Sequence, residues 1–301
     1  MRQRGSVGSI ALALAVAALA LGGCGDKNAD PTHESSEIRR MSFPVSAAPK
    51  LEIAASNGVV TVRGQDGLAE IQVMMMVRNR GNSLRQAEDR VHQMVVHADQ
   101  EEDRLVLRYD AAEQSERLRE YGSVDFEVVT PVRTELSVAL HNGAVSIEAL
   151  ESTVTLALDN GRIIAADIAG ALDARTDNGT IDVERIHGAM KIDTSNGRIR
   201  MAEVNGTVDA ETGSGDVRFS GRLADAAHRI KTARGDLDIE LPLDLSIMID
   251  ATASGGIEAQ DLGLAERIEG REWLYALNPP VGATLELLAS SGRITLRGMQ
   301  K

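Results

Sequence analysis

Between His141 and Gly215 the chain repeats itself every 18 residues. The turn reads His141-Asn142-Gly143, Asp159-Asn160-Gly161, Asp177-Asn178-Gly179 and Ser195-Asn196-Gly197, and closes at Gly213-Ser214-Gly215. A second glycine falls midway, at Gly170, Gly188 and Gly206. A period this short specifies a stack of like supersecondary units, each covering the apolar face of its neighbour. Such stacks are chiefly scaffolds or binding surfaces, which weighs against an enzyme.

Within each unit apolar and polar residues alternate. Leu136, Val154, Leu172, Met190 and Val208 share one column, and Val138, Leu156, Ala174, Ile192 and Ala210 the next. Val145, Ile163, Ile181, Ile199 and Val217 follow the turn. Period-two alternation means strands with one buried face, so each unit reads as two short strands joined by two turns. Two folds satisfy this pattern. In a meander each Asn-Gly closes a hairpin; in a parallel stack residue i lies beneath residue i+18, about 4.8 Å away.

The charges favour the second. Seven i/i+18 pairs are opposite in sign: Asp167/Arg185, Asp173/Lys191, Arg175/Asp193, Asp182/Arg200, Arg185/Glu203, Lys191/Asp209 and Arg198/Asp216. Three are alike: Asp159/Asp177, Asp193/Glu211 and Arg200/Arg218. Directly opposed side chains gain or lose a few tenths to about 1 kcal/mol by sign. The expected fold is therefore all-β, a parallel β-solenoid (β-helix-like) with 18-residue coils over residues 136–301.

Residues 49–135 are read as a β-rich capping region with one helix. Ser56-Asn57-Gly58 is an early copy of the turn. Leu84, Ala87, Val91 and Met94/Val95 mark a helix from Ser83 to about Val95, with Ser83 as its cap. Alternation sends Met75 away from Met74 and Met76, which favours core packing over soft-metal binding. Strands are expected at 71–78, 95–98, 105–109 and 124–129, with Thr130-Pro131 as a stop.

The amino terminus carries an address. Arg2 and Arg4 precede an apolar run from Ile10 to Leu21, too short for an ordinary membrane span. Leu21-Gly22-Gly23-Cys24 resembles a lipobox, whose cysteine is lipidated; Cys24 is the chain's single cysteine, so no internal disulfide forms. Residues 1–23 are read as a lipoprotein signal peptide and 24–48 as a flexible polar tether. With Gly25 after the cysteine, the outer membrane's periplasmic face is favoured over the inner membrane.

Composition excludes more than it assigns. Loss of Arg2 and Arg4 takes the net charge from −13 to −15, a poor match for nucleic acid or anionic lipid. Aromatics at 2% leave little to stack against sugars. The six histidines lack ligand spacing and have no cysteine partner, so no zinc site is expected. Calcium at Asp159 and Asp177 is disfavoured because His141 and Ser195 replace the acid in neighbouring units. No nucleophile elbow or phosphate loop occurs, and no cofactor is expected.

The distinctive positions are the turn ladder: Asn142, Gly143, Asn160, Gly161, Asn178, Gly179, Asn196 and Gly197. Its expected role is structural, with Asn tolerating positive φ and its side chain bonding along the stack. These turns, the strand–helix–strand lead-in and the Thr-Pro stop resemble the bacterial family of β-strand-repeat domains called putative adhesins, over residues 50–298. That resemblance implies a right-handed β-solenoid-like domain, often membrane-tethered, with no established catalytic residues. The expected function is a non-catalytic, adhesin-like binding or structural module anchored by lipid, with a protein or envelope component as partner. The alternatives are an envelope-stress sensor or accessory protein and, behind it, a carbohydrate-active enzyme on a β-helix.

Overall fold

A computed structural model describes residues 31–262 and 268–299. The expected signal peptide and Cys24 lie outside the described residues. The architecture is all-β. In chain order it comprises β1 (His33–Pro44), β2 (Lys50–Gln65), β3 (Glu70–Gly81), helix α1 (Leu84–Gln93), β4 (His97–Glu101), β5 (Arg104–Tyr109), helix α2 (Glu116–Arg119) and β6 (Ser123–Pro131). The repeats follow as β7 (Glu135–Leu150), β8 (Val154–Ala169), β9 (Leu172–Asn196), β10 (Ile199–Ser214), β11 (Val217–Leu223), β12 (Ala227–Arg234) and β13 (Leu237–Pro242). The chain ends in β14 (Ile247–Gln260), β15 (Ile268–Leu277), β16 (Ala283–Ala289) and β17 (Ile294–Met299).

The repeats pair in parallel and in register at 18 residues. Leu136 faces Val154, Asn142 faces Asn160, and Ile163 faces Ile181. No hairpin closes at Asn-Gly, because consecutive turns lie one above another. Five apolar columns run through the stack; one is Leu105, Leu51, Leu136, Val154, Leu172, Met190, Val208, His228, Leu285 and Ile249. All ten of these side chains are buried.

Stacking order departs from chain order at both ends. By position the layers are 104–131, 50–65, 135–150, 154–169, 172–187, 190–206, 208–223, 227–242, 283–299 and 247–260. The first repeat turn in sequence thus occupies the second layer, between β5/β6 and β7. The last strands, β16 and β17, fill the ninth layer, between β12/β13 and β14. Residues 50–65 and 104–131 therefore belong to the stack rather than to a separate cap preceding it. Antiparallel strands close the ends: β4 on β5, β3 on β6 and β1 on β3 at one pole, β15 on β14 at the other.

Two local expectations need correction. Residues 33–44 of the anticipated tether form strand β1, whose twelve residues pair along β3 and whose Phe43 is buried. Main-chain pairing to an open edge orders a polar segment that has little of its own to bury. Arg39 adds to this by donating to the carbonyls of Val91 and Met94, both at 3.3 Å, which satisfies the carboxy-terminal end of α1. Helix α1 begins as expected, with the Ser83 hydroxyl accepting from the Gln86 amide at 3.2 Å, but stops at Gln93 and leaves Val95 exposed.

The unit also has a bend that alternation does not reveal. Ala149, Asp167, Arg185 and Glu203 all take left-handed backbone angles, φ 60, 55, 53 and 53. Each unit therefore turns at the Asn-Gly corner, at this residue, and again near the second glycine. The asparagines themselves stay out of the positive-φ region; Gly143 and Gly161 carry it, at φ 143 and 142. A methyl group on Gly161 would overlap the carbonyl of Gly143 in the layer beneath, so glycine here is required by close approach as well as by φ.

Candidate functional site: the stacked turns and the outer charge columns

The asparagine side chains bond along the stack. Asn142 donates from Nδ2 to Oδ1 of Asn57 at 3.1 Å, Asn160 to Asn142 at 3.1 Å, Asn178 to Asn160 at 3.1 Å and Asn196 to Asn178 at 3.0 Å. Asn57 in turn donates to the Gly122 carbonyl at 3.4 Å. The ladder thus has five rungs, one more than the repeat region alone supplies. Gly143, Gly161, Gly179 and Gly197 lie beside it, each with a carbonyl pressed against the glycine of the next layer.

A second ladder runs inside. Thr194, Thr212 and Thr232 are buried and donate to the carbonyls of Gly179, Gly197 and Gly215 at 3.4, 3.0 and 2.9 Å. Thr176 shares the column, but its buried hydroxyl lacks a partner. Placing hydroxyls in an apolar column is tolerable because turn carbonyls point inward there. Alternation counts this column as core and misses that it also ties the corners.

His228 was equally unmarked in sequence. It occupies an apolar column between Val208 and Leu285 and is 3% exposed. Its Nδ1 accepts from the Val208 amide at 3.2 Å, and Nε2 lies 2.9 Å from the Ala224 carbonyl, to which it donates. Nearby carboxylates play no part in this pair of bonds, so a core role accounts for both ring nitrogens. His141, by contrast, is exposed and meets Asp159 at 2.5 Å.

The outward columns carry charge, though with partners partly different from the i/i+18 expectation. Asp167 and Arg185 do pair directly, through bonds of 2.6 and 2.9 Å. Hydrogen bonding from Arg185, against the opposing effect of burial, holds the Asp167 carboxyl below its ordinary value. Asp182 instead takes Arg162 at 2.6 Å, Arg175 takes Asp173 of its own strand at 2.9 Å, and Asp209 takes Arg229 at 2.8 Å. Arg162 reaches diagonally and Arg175 along its own strand, whereas a 20-residue step to β12 sets Arg229 directly opposite Asp209.

Among the described residues no group of three His, Cys, Asp or Glu could hold a metal, and no helix is long and apolar enough to cross a membrane. A polar cleft of about 510 Å³ beside the amino-terminal pole contains Glu34, Arg78, Arg80 and Glu120. Its arginines are engaged: Arg80 with Glu34 at 3.0 Å, and Arg78 with Asp125. Elsewhere, Tyr109 has a buried hydroxyl whose pKa desolvation pushes up to about 12.

Residues 47–297 match the family described as Toastrack DUF4097, a span that takes in all ten layers almost completely. The chain belongs to the Toastrack DUF4097 family. This agrees with the resemblance drawn from the turns to a family of adhesin-type β-repeat domains. Two solved structures are similar to this Toastrack chain. One is a "putative cell adhesion protein" from Clostridium sporogenes, at 12% identity and TM-score 0.34, covering 88% of this chain and 100% of its own. The other is a "putative adhesin" from Bacteroides fragilis, at 10% identity and TM-score 0.46, covering 87% and 97%. No curated protein matches this Toastrack chain.

Proposed function

We propose that this Toastrack protein is a non-catalytic, adhesin-like binding module of the cell envelope, held to the membrane by a lipid on Cys24. The observation that carries the reading is the parallel register at 18 residues, which supports a β-solenoid with repeating outward columns. Those columns present Arg, Lys, Asp and Glu at a spacing of about 4.8 Å, a surface for a protein or envelope component rather than a pocket for a small substrate. The amino-terminal sequence supports the anchor: a basic start, an apolar run and Leu21-Gly22-Gly23-Cys24. Residues 1–23 are then the signal peptide, and the tether shortens to 24–32 because strand β1 begins at His33. The net negative charge directs the module away from nucleic acid.

The test is fractionation with crosslinking. Cys24→Ser should move the protein from the membrane fraction to the soluble envelope fraction. Retention of the variant in membranes would remove the lipid anchor from this account. A crosslinked envelope partner that is lost when Arg162, Arg175 and Arg229 are changed together to Gln would support binding through the outward columns; a partner retained on that variant would place binding elsewhere.

A further inference from the structure

The two poles of the stack are finished differently. At the amino-terminal pole the outermost strands carry charges, Glu34, Glu37, Arg39 and Arg40 on β1 and Asp99 and Glu101 on β4, and α1 packs against β1 and β3. These are the usual means by which proteins prevent strand edges from pairing with other chains. At the opposite pole the outermost strand is β15, antiparallel, and among the described residues it pairs with β14 alone. Its first half holds Arg271 and Glu272. Its second half, Trp273-Leu274-Tyr275-Ala276-Leu277, is uncharged and rich in strand-forming aromatics.

Side chains alternate along that half. Trp273 and Tyr275 are stacked at 5.2 Å on the side that packs against the core, and Leu277 is buried. Leu274 faces away and is 68% exposed, the most exposed large apolar side chain among the described residues. In an aromatic-poor chain, the single Trp and one of three Tyr sit on this edge strand. A surface apolar residue alone needs no explanation, but one on an edge that no other described strand pairs with matches a strand-addition site.

We infer that β15 pairs edge to edge, antiparallel, with β15 of a second copy of this chain. A two-fold antiparallel pair must place one residue opposite itself, and the sequence is self-complementary when that residue is Leu274. Trp273 then lies opposite the second copy's Tyr275, Glu272 opposite Ala276, and Arg271 opposite Leu277. Centring on Arg271 or Glu272 would set like charges face to face. The Leu274 register removes the most exposed apolar side chain from water and extends the sheet across the two-fold. Because β15 is at the pole remote from β1, the dimer carries its two β1 strands at opposite ends. That is the arrangement needed to join copies on facing surfaces, a corollary that rests on the anchor reading above.

The experiment uses the full chain purified in mild detergent and its Leu274→Lys and Leu274→Glu variants, measured by analytical ultracentrifugation. Wild type should dimerise. Each variant alone should dimerise at least about tenfold more weakly, because like charges meet at the axis. Mixing the two should restore a heterodimer. Unchanged far-UV circular dichroism for both variants checks that they fold, as expected for an exposed position. A monomeric wild type would overturn the pairing, as would a mixture of folded variants that fails to associate; persistence of the Leu274→Lys dimer would overturn the Leu274-centred register. Dimerisation needs no anchor: a monomeric wild type with Cys24→Ser released from membranes refutes the pairing alone, and a dimer with Cys24→Ser still membrane-bound refutes the anchor alone.

Discussion

At Asn178 one side chain serves two layers, donating to Asn160 and accepting from Asn196. Valine has a similar breadth but neither group, so it would leave a donor and an acceptor of its neighbours without their rung. Asn178→Val should destabilise the domain by about 1–3 kcal/mol in chemical denaturation; an unchanged midpoint would show the ladder to be incidental. His228 argues the same point from inside the core. Its column neighbours Val208 and Leu285 make leucine look like an improvement, yet His228→Leu removes the acceptor of the Val208 amide. A loss of about 1–3 kcal/mol is expected in the same assay, with full stability in the variant counting against the role given to that bond.

The ion pairs leave a signature in acid. Asp167 titrates below its ordinary 3.8 because Arg185 bonds to it. A carboxyl depressed in the folded state stabilises fully above its unfolded value, and that contribution is lost as pH falls through the depressed one. The difference in stability between wild type and Arg185→Gln should therefore persist from neutrality down to about pH 4 and shrink below 3.8. Both groups are exposed, so the effect is small. A difference that grew in acid would contradict the pairing.

On the scale of elements, what was legible in the sequence is what period two and period 18 encode. The columns through Leu136 and Val145, the Asn-Gly corners and the start of α1 at Ser83 follow directly from residue type and spacing. The bend at Ala149, Asp167, Arg185 and Glu203 was not legible, because four unlike residues share a left-handed backbone that only the stack imposes. Strand β1 was hidden for a related reason: its order comes from pairing with β3 rather than from apolar content. The threonine column reads as weak core until the inward glycine carbonyls are seen. In the candidate site the same divide appears, since position fixed the Asn ladder while the ion-pair partners depended on side-chain reach.

For the whole molecule, the order of layers matters more than their number. The carboxy-terminal strands β16 and β17 fill a slot whose two walls, 227–242 and 247–260, precede them in the chain. The stack cannot be finished in chain order, and its far pole closes only when the last strands insert. Deleting residues 283–301 should expose two parallel edges, giving aggregation or loss of the cooperative unfolding transition in size-exclusion and thermal melts. A truncated chain that stays monomeric and melts like wild type would contradict the insertion.

The stack, and the outward columns it presents, depend on residue i lying beneath residue i+18. Spin labels at Ala139 and Glu211, both exposed, test this directly in a Cys24→Ser chain by pulsed electron paramagnetic resonance. The two positions are four layers apart through Ala157, Arg175 and Asp193. Parallel stacking predicts a backbone separation of about 19 Å at 4.8 Å per layer, broadened by the label arms. A meander of hairpins would put eight strand spacings between them, about 38 Å, and a distance near that value would contradict the fold and the function built on it.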